Sequence, residues 1–146
     1  MTPQRVTLIT LGVSDLERSE AFYSALGWVA RDDGLPEVRF YQINGMALGL
    51  FGMDALAKDQ GRPGAALGVG GATLAQNFTS EEEVDAAYDL AISAGAEALK
   101  RPEKVFWGGY SGYYADPDGH VWEVAHNPFW TLNADGSLTL PEPAGS

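Results

Sequence analysis

The sequence contains no cysteine, which excludes disulfide bonds, a thiolate nucleophile and a zinc–thiolate site. It also has few basic residues, nine Lys and Arg against twenty Asp and Glu, for a formal net charge of -11. Such a chain repels a phosphate backbone, and its basic residues form no patch, so nucleic acid is not an expected partner. The acidity serves either solubility or the attraction of cationic ligands.

Long apolar runs are absent too. No stretch approaches the roughly 20 apolar residues that a membrane span needs, and MTPQRVTLIT lacks the charged-then-apolar order of a signal peptide. We therefore expect a soluble, cytoplasmic protein with no membrane partner. A length of 146 residues suits one compact domain with its own core.

The first half of the chain has the pattern of a strand, a helix and a hairpin. RVTLITLGV (5–13) is a predicted strand, and SDLERSEAFYSALGW (14–28) has apolar residues at helical spacing. Ser14 and Glu17 match a capping box at the start of this helix. VRFYQI and MALGLF then flank the dipeptide Asn44-Gly45, which is a strong hairpin signal.

The same order recurs in the second half. ATLAQNF is a predicted strand, Ser80 and Glu83 form a second capping box before a helix that ends at Gly95, and GYYADPDGHVWEV predicts two strands joined by a turn. We interpret the chain as one domain with two modules, 5–53 and 72–127, a linker loop at 54–71 and a C-terminal tail at 128–146.

Two motifs, VSDLERSEAFYSALGW near the start and GYYADPDGHVWEV near the end, carry a family resemblance. Together with the repeat, they resemble the vicinal oxygen chelate (VOC) superfamily of glyoxalases, bleomycin resistance proteins, extradiol dioxygenases and fosfomycin-modifying transferases. The resemblance covers about residues 5 to 127. It implies an α+β fold in which two tandem βαβββ modules form a cup-shaped mixed sheet, and it implies a homodimer.

The resemblance also implies where a metal would bind, with ligands from the first and last strand of each module. Those positions fall at Leu8, Gly49, Thr73 and Glu123, with Leu74 replacing Thr73 if the second module shifts by one residue. Leu and Gly side chains offer no lone pair and a neutral Thr hydroxyl is a poor ligand, so Glu123 alone suits a metal. We expect no metal cofactor, with a divalent metal as the alternative.

The two histidines do not complete a metal site. Side chains alternate along a strand, so Glu123 shares a face with Val121 and Ala125, while His120 and His126 point to the other face. A two-histidine, one-carboxylate iron site also needs ligands from separate strands.

Glu123 is the candidate catalytic residue. It is a general base, a counter-charge for a cationic ligand, or a structural carboxylate bonded to a Tyr hydroxyl or a backbone N–H. Trp107, Tyr110 and Tyr113, spaced by glycines, are candidates for stacking on a ligand, or for packing against the linker or a partner subunit. Residues whose position along their strands suits the lining of the cup are Phe40, Gln42, Phe51, Thr10, Thr73, Ala75 and Asn77.

Three functions stay open at this point. The leading hypothesis is a VOC-superfamily protein with an incomplete metal site that binds a small aromatic or cationic molecule in the cup, with or without proton transfer by Glu123. The second is a metal-dependent lyase or isomerase of the glyoxalase type. The third is a scaffold domain whose cup is filled by its own side chains.

Overall fold

The structure is a computed structural model that describes residues 1–143. These residues form an α+β fold with seven strands and three helices, which confirms the predicted class. The strands are β1 (Leu8–Val13), β2 (Val38–Ile43), β3 (Met46–Gly52), β4 (Thr73–Asn77), β5 (Glu97–Lys104), β6 (Tyr110–Ala115) and β7 (Val121–His126). The helices are α1 (Leu16–Ala25), α2 (Met53–Asp59) and α3 (Glu81–Ser93). The chain divides after Gly71 into two compact units.

The first unit contains a three-stranded sheet in the order β1-β3-β2, with β1 parallel and β2 antiparallel to β3. The predicted hairpin turn forms at Asn44-Gly45, where Gly45 has a φ of 72°. This unit follows the order βαββ rather than the predicted βαβββ. Beside β2 the chain makes a backbone hydrogen bond, from Arg31 N to Phe40 O at 2.8 Å, but Gly34 and Pro36 follow and disfavour a strand there. Helix α2 occupies part of the segment predicted to be a linker loop.

The helix starts test the two predicted capping boxes. Asp15 caps α1, because its carboxylate accepts a hydrogen bond from Arg18 N at 3.1 Å, whereas the Ser14 hydroxyl accepts from the Arg18 side chain. The box predicted to begin at Ser14 is therefore wrong by one residue. Ser80 caps α3 as predicted, with its hydroxyl accepting from Glu83 N at 3.2 Å.

The second unit has the full βαβββ order. Its sheet has the order β4-β7-β6-β5, with β4 parallel to β7 and antiparallel pairing elsewhere. Helix α3 packs against one face of this sheet and contacts β5, β6 and β7. Trp122 and Val124 point to this face, and both are buried together with Tyr114. Helix α3 does not cover the opposite face of the sheet.

Residues after β7 do not form an unstructured tail throughout. Leu132 and Leu138 form an antiparallel bridge, and Asn133 N donates a hydrogen bond to Ser137 O at 2.8 Å, so a short hairpin forms within the predicted tail. Residues 144–146 of the predicted tail lie outside the described part of the chain. Within residues 1–143, no helix is long and apolar enough to cross a membrane.

An aromatic cluster fills the space between α1 and the first sheet. The ring of Tyr23 lies 5.0 Å from that of Phe22, 5.6 Å from that of Trp28 and 6.1 Å from that of Tyr41, measured between centroids. The Tyr41 hydroxyl is buried with no hydrogen-bond partner among the described residues. Burial raises the pKa of Tyr41 to about 12, so the hydroxyl keeps its proton at neutral pH.

Replacing Tyr41 by Phe should leave the free energy of unfolding unchanged or raise it by about 1 kcal/mol. The change removes a buried polar group that has no described partner, and it keeps the ring. Urea unfolding of the two proteins measures the difference. Tyr110→Phe is a matched control, because the Tyr110 hydroxyl donates to Asp85 at 2.7 Å and its loss should destabilise slightly. If Tyr41→Phe lowered the free energy of unfolding as much as Tyr110→Phe does, the expectation would be contradicted.

Candidate functional site

The open face of the second sheet brings several predicted residues together. Ala75 on β4 and Tyr113 on β6 both pair with Glu123 on β7, and Asn77 pairs with Ala125. Paired residues in a sheet point to the same side, so these side chains share one face, opposite α3. The sequence prediction that Glu123 shares a face with Ala125 is confirmed.

The register also separates Thr73 from Leu74. Thr73 pairs with Val121 and therefore lies on the same face as Glu123, while Leu74 pairs with Trp122 on the face covered by α3. The alternative shift of one residue, which would have placed Leu74 beside Glu123, does not occur.

Tyr113 and Glu123 interact directly across the β6–β7 pair. Burial, the charge of Glu123 and a hydrogen bond to the Glu123 carboxylate all raise the pKa of Tyr113. The phenol therefore stays protonated at neutral pH and donates to the carboxylate. A carboxylate bonded to a Tyr hydroxyl is one of the alternatives that the sequence left open for Glu123.

A pocket of about 650 Å³ opens to solvent beside Glu123. We call it the Glu123 pocket. Among the described residues that line it, Glu123 is the single charged side chain, and three aromatic residues stand around it. The lining consists of Ala75, Asn77, Trp107, Glu123, Ala125, Asn127, Phe129 and Trp130. All of these belong to the second unit.

Trp107 reaches the pocket from the tight loop between β5 and β6. Gly108 N donates to Val105 O and Val105 N donates to Gly109 O, both at 3.0 Å, and these bonds close the loop. Trp107 lies at its tip and is 37% exposed. The structure thus brings Trp107 and Glu123 to one pocket, and their role in binding stays a prediction.

The segment after β7 supplies lining residues that the sequence analysis missed. Asn127 Oδ1 accepts from Phe129 N at 2.9 Å, and Trp130 N donates to Asn127 O at 3.1 Å. This turn folds Phe129 and Trp130 back beside the sheet instead of letting them leave it as a tail. The adjacent aromatic pair directly after the last strand was the available signal.

Tyr110 was predicted to bind ligand with Trp107 and Tyr113, but it lies on the other face of the sheet. Its hydroxyl donates to Asp85 of α3 at 2.7 Å, and this bond raises the pKa of Tyr110 to about 12. The reason is strand geometry, since residues three apart on β6 point to opposite faces. The prediction that Tyr110 lies with Tyr113 on the ligand-binding face is therefore wrong.

The sequence matches the Glyoxalase/Bleomycin resistance protein/Dioxygenase superfamily over residues 5–124. The chain belongs to this superfamily. A glyoxalase-related enzyme from Fulvimarina pelagi is 40% identical, with a TM-score of 0.86, and the match covers 94% of this chain and 99% of that one. The comparison with curated proteins gives no match.

Two more distant structures share the fold. Lactoylglutathione lyase from Agrobacterium tumefaciens is 23% identical with a TM-score of 0.67, covering 90% of this chain and 100% of that one. The fosfomycin resistance protein FosX from Listeria monocytogenes is 23% identical with a TM-score of 0.64, covering 86% and 95%. At this identity the likeness extends to the fold and not to the chemistry.

The positions that the family resemblance assigns to metal ligands do not fit a metal. Leu8 and Gly49 carry no donor atom, and a Cβ added to Gly49 would already lie 3.3 Å from the Phe40 ring. Thr73, which pairs with Val121, offers only a neutral hydroxyl on the face of the second sheet that carries Glu123. Within residues 1–143, no group of three or more His, Asp or Glu side chains could hold a metal ion.

The DPDG turn is structural. Asp116 Oδ1 accepts from Asp118 N at 3.0 Å and from His120 N at 2.9 Å, and Gly119 N donates to Asp116 O. Through these hydrogen bonds Asp116 stabilises the turn that connects β6 to β7.

The remaining predicted residues belong to the first unit. These predicted residues lie on the face of the first sheet opposite α1. The register shows this, since Thr10 and Phe40 both pair with Gly49, Phe51 pairs with Gly12, and Gln42 pairs with Ala47. Gln42 Nε2 donates to Ile43 O at 2.8 Å and to Met46 O at 3.1 Å. Their predicted common face is present, and their role in binding stays a prediction.

Proposed function

We propose that this protein binds a small, planar organic molecule, aromatic or cationic, in the Glu123 pocket. One observation carries the proposal: a single carboxylate lies among three aromatic side chains, those of Trp107, Phe129 and Trp130. Aromatic faces attract planar rings and cations, at roughly 0.5–2 kcal/mol for each good contact.

The charge of the pocket supports a cation over an anion. Glu123 is the one charged side chain among the described lining residues, so a phosphate or carboxylate group in the pocket would meet repulsion and no cationic partner. The net charge of -11 adds a favourable field for cations at long range. Asn77 and Asn127 provide neutral hydrogen-bonding groups that orient a ligand.

Glu123 acts as the counter-charge in this proposal. Tyr113 donates to its carboxylate, and the carboxylate keeps acceptor capacity for a ligand N–H. The same arrangement suits a general base, because Glu123 sits against small apolar neighbours such as Ala75 and Ala125. Recovery of the ligand after incubation separates the two roles, since a binding protein returns it unaltered.

Proflavine, a planar aromatic cation, is the probe for this proposal. In protein labelled with fluorotryptophan, we expect proflavine to shift the fluorine resonances of Trp107 and Trp130, which line the pocket. The resonance of Trp122, which is 5% exposed on the opposite face, should stay in place. Replacing each Trp by Phe in turn assigns the resonances. A saturable shift confined to other tryptophans would refute binding in this pocket.

A metal-dependent lyase of the glyoxalase type is the second candidate. Glu123 favours it, because it occupies a metal-ligand position of the superfamily and carries a suitable donor. Such a reaction relies on the metal to stabilise enediolate oxygens, and one carboxylate is too few ligands for that metal. The proposal of a metal-independent binding site accounts for the residues better.

A further inference from the structure

Gly109 is buried although it ends an exposed loop. Its neighbour Gly108 has a φ of 94°, a left-handed conformation that explains a glycine there. Gly109 does not share this conformation, so a left-handed φ does not explain the glycine there. Something other than the backbone requires glycine at position 109.

The Trp107 ring is the reason. A Cβ added to Gly109 would overlap Cζ3 and Cη2 of the indole, so the ring occupies the space of a side chain at this position. These nearest atoms belong to the side chain of Trp107 and not to the backbone. An alanine at position 109 therefore leaves the strand pairing alone and displaces the ring.

The adjacent glycine is in contact with a second aromatic residue of the pocket. A Cβ added to Gly108 would lie 3.0 Å from Cε2 of Phe129. Trp107 and Phe129 come from different segments of the chain, and both line the Glu123 pocket. Each glycine therefore lies against one aromatic ring of the pocket, Gly109 against Trp107 and Gly108 against Phe129.

We propose that Gly109 is a positioning residue that fixes the Trp107 indole at the edge of the Glu123 pocket and thereby strengthens the binding of planar ligands there. The inference rests on the proposed function for its ligand. Because the ring packs on the loop backbone before any ligand arrives, little ordering of Trp107 is left for the binding step. A side chain at position 109 removes this packing, so the ring turns into the pocket or away from it.

The unliganded protein tests the positioning role. In fluorotryptophan-labelled Gly109→Ala, we expect the Trp107 resonance to move while the resonances of Trp28 and Trp122 keep their positions. Gly68→Ala is the matched control, because it makes the same chemical change at a glycine with open space and no left-handed φ. A Trp107 resonance that is unchanged in Gly109→Ala overturns the inference.

Proflavine titrations of a double-mutant cycle test the effect on ligand affinity. Gly109→Ala should weaken proflavine binding about tenfold in the natural sequence and have no further effect in a Trp107→Leu background. An equal loss in both backgrounds would show that Gly109 acts without Trp107, which overturns the inference. A wild-type protein that does not bind proflavine contradicts the proposed function instead, and the ligand-free resonance then still decides the role of Gly109.

Discussion

Replacing Tyr23 by Ala should lower the free energy of unfolding of the first unit by about 3–5 kcal/mol. Tyr23 is 0% exposed and its ring is in contact with three other aromatic rings, those of Phe22, Trp28 and Tyr41. Truncation to Ala removes the centre of this cluster. The rings around it are anchored on α1, β2 and the chain after α1, so they cannot close the cavity completely.

Urea unfolding followed by Trp28 fluorescence measures this loss, since Trp28 packs on Tyr23 with ring centroids 5.6 Å apart. A loss of this size is a large fraction of the 5–15 kcal/mol that is typical of a folded domain. Val29→Ala is the control, because Val29 is 83% exposed and its truncation should change stability by less than about 0.5 kcal/mol. A Tyr23→Ala protein as stable as the Val29→Ala protein would mean that the cluster does not support the unit.

Local patterns in the sequence predict much of this fold. The Asn44-Gly45 dipeptide marks its hairpin because Gly45 takes a positive φ, and Ser80 marks a helix start because its hydroxyl satisfies a free N–H. Alternation along β7 places Glu123 and Trp122 on opposite faces. Each of these signals depends on a few neighbouring residues, so it can be recognised without knowledge of the tertiary structure.

Other features depend on contacts between distant residues. Asp15 competes with Ser14 as the cap of α1, and both side chains bond to Arg18, so the sequence gives two acceptable answers. Phe129 and Trp130 follow the last strand and read as a tail until the turn at Asn127 brings them to the pocket. The pocket is assembled from β4, β7, a loop and this turn, and no local pattern contains all four.

Replacing Glu123 by Gln should weaken the binding of proflavine by about 10- to 100-fold and change the binding of acridine by less than about threefold. The two probes share a planar three-ring shape, but acridine is neutral at neutral pH. Glutamine keeps the size of the side chain and an acceptor for the Tyr113 hydroxyl, so the substitution removes mainly the charge. Loss of the Glu123 charge should also bring the pKa of Tyr113 closer to the ordinary value for tyrosine, because that charge is one cause of the raised pKa.

Titration of both probes against both proteins, at low and high salt, measures the charge preference. Tyr113→Phe is the matched control: it removes the hydrogen bond to Glu123 but keeps the carboxylate, so the preference for the cation should persist. An equal loss for proflavine and acridine in Glu123→Gln would mean that Glu123 organises the pocket without pairing with a cation. Because ions screen long-range attraction to the acidic surface more than contact inside a pocket, the part of the preference that survives high salt is the part that Glu123 provides.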